Sequence, residues 1–219
     1  MNGKYIHLTL AWLTILAGCL VNNANAGVIY SNDFESGVAD GFTNFTDVAQ
    51  APNGESYIGH LIFGNTSILT LNNLAHASLI NIDFDVYGLR SLDGTDNNDS
   101  FEFFLDGELL FKDYYGHLDG ELVGPSTGRL ISHDDSTFGY GHFYGGASTY
   151  HYSISFLNTN ETISLGFKAN TDQGWADEAF GIDNVSVSSI PEPTTLAIMA
   201  FGIFGLASNR IKKTPTKQQ

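Results

Sequence analysis

Ile80-Asn81-Ile82-Asp83-Phe84-Asp85-Val86 is the clearest structural statement in the chain. Its apolar residues fall on every second position with polar ones between, the period of a strand that buries one face and wets the other. The same alternation returns in Tyr150, Tyr152, Ile154 and Phe156, and again in Ile163, Leu165 and Phe167. Further strand candidates are Gly27–Ser31, Ser67–Leu71, Phe101–Leu105, Leu109–Lys112 and Gly181–Ser188, each short and bounded by Gly, Asn or Asp. Asp106-Gly107 joins two of them and predicts a hairpin, because both central residues tolerate positive φ. No stretch between Gly27 and Ile190 keeps a helical period. Many short strands with glycine-rich turns predict an all-β fold, a two-sheet jelly-roll sandwich, with its long loops in Gly116–Gly146.

The chain has 219 residues, enough for one ordinary domain and short for two. Hydrophobic residues make up 42% and aromatics 13%, so a core is affordable. The net charge is −15, and the stretch Gly27–Ile190 alone holds 23 acidic residues against four basic ones, Arg90, Lys112, Arg129 and Lys168. Such a surface lacks the basic footprint that phosphate binding needs, which excludes nucleic acid as a partner. A single cysteine excludes both a disulfide framework and a Cys-rich zinc site.

The two ends are different material. Residues 1–26 read as a signal peptide: Lys4 is its only charge, an apolar helix-forming run follows, and Ala24-Asn25-Ala26 offers a cleavage site. The mature chain would begin at Gly27. Leu16-Ala17-Gly18-Cys19 leaves a lipidated Cys19 as the alternative first residue. At the other end, residues 190–219 form a tail: Pro191-Glu192-Pro193, an uncharged apolar run at about 194–209, and the basic group Arg210, Lys212, Lys213 and Lys217. The run is a short single transmembrane helix whose flanking cations extend it and act as a stop-transfer signal. The sandwich at 27–189 would then lie outside the cytoplasm.

This order of features resembles the PEP-CTERM sorting tail of exported bacterial proteins. The resemblance implies an exosortase-type processing enzyme as partner and cleavage near Pro191-Glu192-Pro193. An inner-membrane-anchored precursor would thus pass to the cell-envelope surface or the extracellular space, in company with exopolysaccharide.

Two acidic stretches are candidate metal sites. Asp33-Phe34-Glu35 follows the first strand and Ile182-Asp183-Asn184-Val185 lies in the last. Terminal strands of jelly rolls commonly lie side by side, which would bring Glu35 and Asp183 together with Asp33 beside them. Neighbouring carboxylates repel unless a cation sits between them, and Ca2+ suits an irregular all-oxygen site. Phe34-Glu35 and Ile182-Asp183-Asn184-Val185, with Trp175–Phe180 leading in, also resemble carbohydrate-binding-module jelly rolls, where the corresponding segments hold a structural calcium. The run Asp93–Ser100 does not fit the EF-hand spacing and reads as an ordinary polar turn, with a weak calcium loop as the alternative.

Phe138–Gly146 interleaves aromatics with glycine, and Tyr140, His142, Tyr144 and Trp175 are candidate platforms for stacking on sugar rings; packing back onto the sandwich is the alternative. Gly124-Pro125-Ser126-Thr127-Gly128 matches G-x-S-x-G in letters, but no helix-forming segment follows it as a nucleophile elbow requires. The histidines show no paired spacing for a transition metal. No catalytic residue is assigned. The expected function is therefore that of an exported, non-enzymatic matrix protein with a calcium-stabilised sandwich that binds polysaccharide. A glycan-active enzyme on a concanavalin-like sandwich and a ligand-free scaffold are the alternatives.

Overall fold

Ile80, Ile82, Phe84 and Val86 all point into the core, as their alternation requires. They do so in a computed structural model that describes residues 27–76, 78–116, 124, 126–134, 138 and 146–190. The expected signal helix, the apolar span at 194–209, the sorting residues Pro191, Glu192 and Pro193 and the stop-transfer residues Arg210, Lys212 and Lys213 lie outside the described residues. No helix among the described residues is long and apolar enough to cross a membrane.

The described residues form twelve strands: β1 (Gly27–Asn32), β2 (Phe42–Asn44), β3 (Val48–Gln50), β4 (Ser56–Leu61), β5 (Thr66–Asn72), β6 (Ser78–Arg90), β7 (Ser100–Leu105), β8 (Glu108–Tyr114), β9 (Arg129–Asp134), β10 (Ala147–Asn158), β11 (Thr162–Asn170) and β12 (Glu178–Ile190). One sheet runs β3-β4-β12-β6-β10-β9, with β1 also paired to β12; the other runs β2-β5-β11-β7-β8. The fold is the predicted antiparallel jelly-roll sandwich. Three of its strands, β6, β10 and β12, are longer than the short segments expected, at 13, 12 and 13 residues. Asp106 and Gly107 turn the β7–β8 hairpin at φ of 52° and 84°, as their residue types predict.

Aromatic side chains fill the space between the sheets. Phe84 stacks on Tyr152 at 5.1 Å, and Tyr152 on Phe111 at 5.0 Å, with the rings nearly parallel. Phe167 meets Phe84 edge-on at 5.1 Å, so the stack is locked from a second direction. Burying such rings supplies most of the driving force, and their offset and edge contacts fix the register. A smaller apolar cluster of Tyr57, Tyr87, Leu89, Phe138, Ala147 and Ala179 lies apart from it.

The last strand departs from simple alternation. Ile182 and Val185 both join the core although they lie three positions apart. Asn184, between them, sits at a φ of 51°, a left-handed residue inside the strand that breaks the two-residue period. On one side of β12, β4 pairs with the first half through Phe180 and Ile182, and β1 with the second half from Val185 onward. The end of β1 and the start of β4 thus meet on one edge, beside Asp183 and Asn184.

Candidate functional site

The terminal strands lie side by side as expected, through five pairs from Gly27↔Ser189 to Asn32↔Val185. Beyond β1, Phe34 adopts a φ of 55° and sends its ring into the core against Phe42, which leaves Asp33 and Glu35 facing outward and exposed. Glu35 Oε1 accepts the Ser56 amide at 2.9 Å, and Asp33 Oδ1 accepts the Glu35 amide at 3.3 Å. Asp183 is only 1% exposed. Its Oδ2 accepts from the Tyr87 hydroxyl at 2.5 Å and from Asn184 Nδ2 at 3.1 Å, and its Oδ1 from the Asn184 amide at 2.6 Å. Burial raises the Asp183 carboxyl to about 7 despite these donors, which work the other way. The Tyr87 hydroxyl is driven up as well, by burial and then by Asp183. No hydrogen bond links Glu35 to Asp183; each carboxylate is served by its own N–H or O–H groups.

A second acidic centre lies where the β6–β7 and β11–β12 loops meet. Asp93, Asp99 and Glu178 each offer an oxygen within 4.8 Å of the others. Asp99 and Glu178 are both 0% exposed; the Asp93–Ser100 run is a turn with Thr95 to Asn98 exposed, as it reads, but its end at Asp99 is buried. Asp99 Oδ2 takes the Asp93 amide, while Asp99 Oδ1 is buried without a hydrogen-bond partner. Glu178 accepts the Gln173 amide at 3.2 Å. Both carboxyls are pushed above the usual range, by burial first; Asp172 and Asp93 add like charge to both and Asp99 adds it to Glu178, while a hydrogen bond with Glu178 pulls Asp99 the other way. The two loops are zipped together: Ser91 donates its amide to Asp177 O at 3.0 Å and its hydroxyl to Asp177 Oδ1 at 2.7 Å. Sequence reading missed this centre because Glu178 lies about 80 residues from the other two. The one available signal was Asp99 directly before a strand whose first residues are buried.

Of the four expected ligand-stacking residues, Tyr140, His142 and Tyr144 lie outside the described residues. Trp175 is 51% exposed on the β11–β12 loop, and Phe63, on the adjacent β4–β5 loop, is 60% exposed. The indole stacks on the His60 ring at 4.8 Å, and the Arg90 guanidinium lies 5.4 Å from its centre. Burial and then Arg90 push His60 below its usual pKa. Trp175 is thus an exposed ring with one neighbour already stacked on it.

Ser126 of the G-x-S-x-G segment donates both its amide (3.1 Å) and its hydroxyl (3.0 Å) to Asp113 Oδ1. Among the described residues its hydroxyl has the Asp113 carboxylate as partner. Gly128 is present for close approach, since a Cβ there would lie 2.6 Å from the Tyr152 ring. A shallow depression on the five-stranded sheet is lined by Ile68, Phe104, Gly166 and Lys168 among others, none of them acidic.

Comparison with known proteins bears mainly on the tail. Residues 189–212 match the PEP-CTERM protein-sorting motif. No curated protein matches the chain. Among solved structures, the CBM22-1 xylan-binding domain of Xyn10C from Paenibacillus barcinonensis is 16% identical over 77% of this chain and 98% of that one, with a TM-score of 0.41. A family 35 carbohydrate-binding module from Clostridium thermocellum is 13% identical over 75% and 98%, at 0.35. The K3 cleaved adhesin domain of Lys-gingipain from Porphyromonas gingivalis is 12% identical over 74% and 99%, at 0.41. Overlaps this loose carry no argument about function.

Proposed function

We propose, from the PEP-CTERM protein-sorting motif at residues 189–212, that the chain is an exported protein delivered to the cell-envelope surface by an exosortase-type enzyme. The motif is the observation that carries this reading. In it, the apolar run at 194–209 anchors the precursor, Arg210, Lys212 and Lys213 stop its transfer, and cleavage near Pro191-Glu192-Pro193 releases the sandwich. The sandwich acts without catalysis, as a structural or adhesive unit that binds exopolysaccharide. Its exposed aromatic pair, Trp175 and Phe63, supports the binding role, since flat rings stack on the C–H faces of sugars. Asp113, occupied by the Ser126 and Thr127 amides and the Tyr152 hydroxyl as well as by the Ser126 hydroxyl, serves as an anchor for that segment, which supports the non-catalytic one. Calcium belongs to the same reading, held by Asp33, Glu35 and Asp183, of which Asp183 is the buried member.

A ligand-free scaffold is the second reading, favoured by the His60 ring already stacked on Trp175. Mass spectrometry of the protein recovered from its native envelope tests the sorting: the expected termini are Gly27 and a residue near Pro191. An intact chain dissolved in the cytoplasm overturns it. A glycan array separates binder from scaffold, with Trp175→Ala abolishing every hit in the first case and an empty array deciding for the second.

A further inference from the structure

We propose that Asp93, Asp99 and Glu178 form a site for a divalent cation of the calcium class, which clasps the β6–β7 loop to the β11–β12 loop. Three carboxylates offer oxygens within 4.8 Å of one another, and two of them are 0% exposed. Proximity alone would not carry the assignment. The independent sign is Asp99 Oδ1, an oxygen fully shut away from water that no backbone N–H, amide or hydroxyl donor reaches, its acidic neighbour being the Glu178 carboxyl. A buried acceptor left unserved is costly, and native proteins rarely keep one without a bound species to complete it. The terminal-strand acids differ on this point, for Asp183 is supplied by Tyr87 and Asn184.

The chemistry of the donors narrows the occupant. All three ligands are hard carboxylate oxygens, and neither histidine nor cysteine belongs to the group, which disfavours zinc and copper. Asp93 and Asp99 come from the irregular β6–β7 loop and Glu178 from the first position of β12, an uneven frame that suits calcium better than the strict octahedron of magnesium. Asp172 stands close enough to raise the pKa of both buried acids and adds negative potential at the mouth. The competing occupant is a proton shared between Asp99 and Glu178.

The inference is independent of export and of polysaccharide binding. It also predicts a local consequence: Trp175 rides on the loop between Gln173, which donates its amide to Glu178, and Glu178 itself, so an ion there steadies the exposed indole.

The test uses the full-length chain in detergent micelles, stripped with EGTA and titrated with CaCl2 alone. Trp12, the other tryptophan, is replaced by Phe so that emission reports Trp175. Expected are a saturable change in Trp175 emission, heat of binding by calorimetry and a rise in melting temperature. Glu178→Gln and Asp99→Asn each weaken calcium binding tenfold or more at this site, while the calcium-free melting temperature stays level or rises because a crowded charge has been removed. Asp183→Asn keeps the Trp175 response, which separates this site from one at the terminal strands. Should Glu178→Gln fail to fold, the half-buried Asp93→Asn serves in its place and loses the response likewise. The proposal is overturned if the stripped chain shows no calcium-dependent Trp175 signal. It is equally overturned if the variants titrate like the parent, or lose calcium-free stability with unchanged affinity, as a proton-sharing pair would.

Discussion

Asp113 and Asp99 are both buried carboxylates near one end of the β7–β8 ladder: Asp113 pairs with Phe101, and Asp99 directly precedes Ser100, the first residue of β7. Their surroundings are opposite. Asp113 receives the Ser126 amide and hydroxyl, the Thr127 amide at 3.2 Å and the Tyr152 hydroxyl at 3.1 Å. Asp99 receives the Asp93 amide on one oxygen and no donor on the other. Depth of burial therefore does not distinguish a structural anion from a ligand-seeking one. The number of donors does, because a dry carboxylate is stable only when dipoles replace the water it has lost.

The sharpest way to break this contrast is to remove each group. Asp113→Ala strands four donors in a closed space and should cost about 3 kcal/mol or more, a fall of roughly 10 °C in melting temperature. Asp99→Ala, measured in chelator, should cost far less; equal losses would erase the distinction. Tyr152→Phe comes next, at about 1–3 kcal/mol, since it withdraws one donor from Asp113 and the partner of the Tyr115 hydroxyl at 2.7 Å.

Acidity probes the same difference. Asp99, Glu178 and Asp183 all have folded-state pKa values above the ordinary carboxylate range. The folded chain thus holds protons on these groups that the unfolded chain releases, so their contribution to stability is fullest below about pH 4 and is lost as pH rises, for Asp183 through about 7. In chelator the melting temperature should climb by several degrees from pH 8 to 5, and Asp183→Asn should flatten part of that slope. Glu102 works against the trend: Lys168 and Lys112 lower it despite burial, so its contribution is lost in acid. The smallest effect should come from Lys112→Met, under about 1 kcal/mol. Its ammonium, partly open to solvent, reaches Asn98 Oδ1 at 2.7 Å and Glu102 at 3.5 Å; a calorimetric loss above that size would mean the loop is tied more strongly than its ion pair suggests.

Strands with one wet face were readable from their letters, and the heptapeptide at 80–86 is the best case. β4 was not, because Ser56, Tyr57, Ile58 and Gly59 are all buried, so no polar beat marks its second face. β2 and β3, at three residues each, are too brief to show any period. β12 was readable to Ile182, after which Asp183 and the left-handed Asn184 interrupt the alternation before Val185. The acids near the chain ends could be paired in advance because a topological rule joins terminal strands. Nothing local joins Glu178 to Asp99: their meeting depends on how two loops cross at one end of the sandwich, and that is decided by the packing of the strands they connect.

The thirteen residues of β12 have a mechanical consequence. The strand starts at Glu178, in the acidic centre, and leaves the sheet at Ile190, about 40 Å away for an extended chain. It has β6 on one side and β4 and then β1 on the other. Tension between a ligand gripped near Trp175 and a pull at Ile190 would run along this strand and strain its flanking backbone bonds in shear, many at once, instead of peeling them one after another.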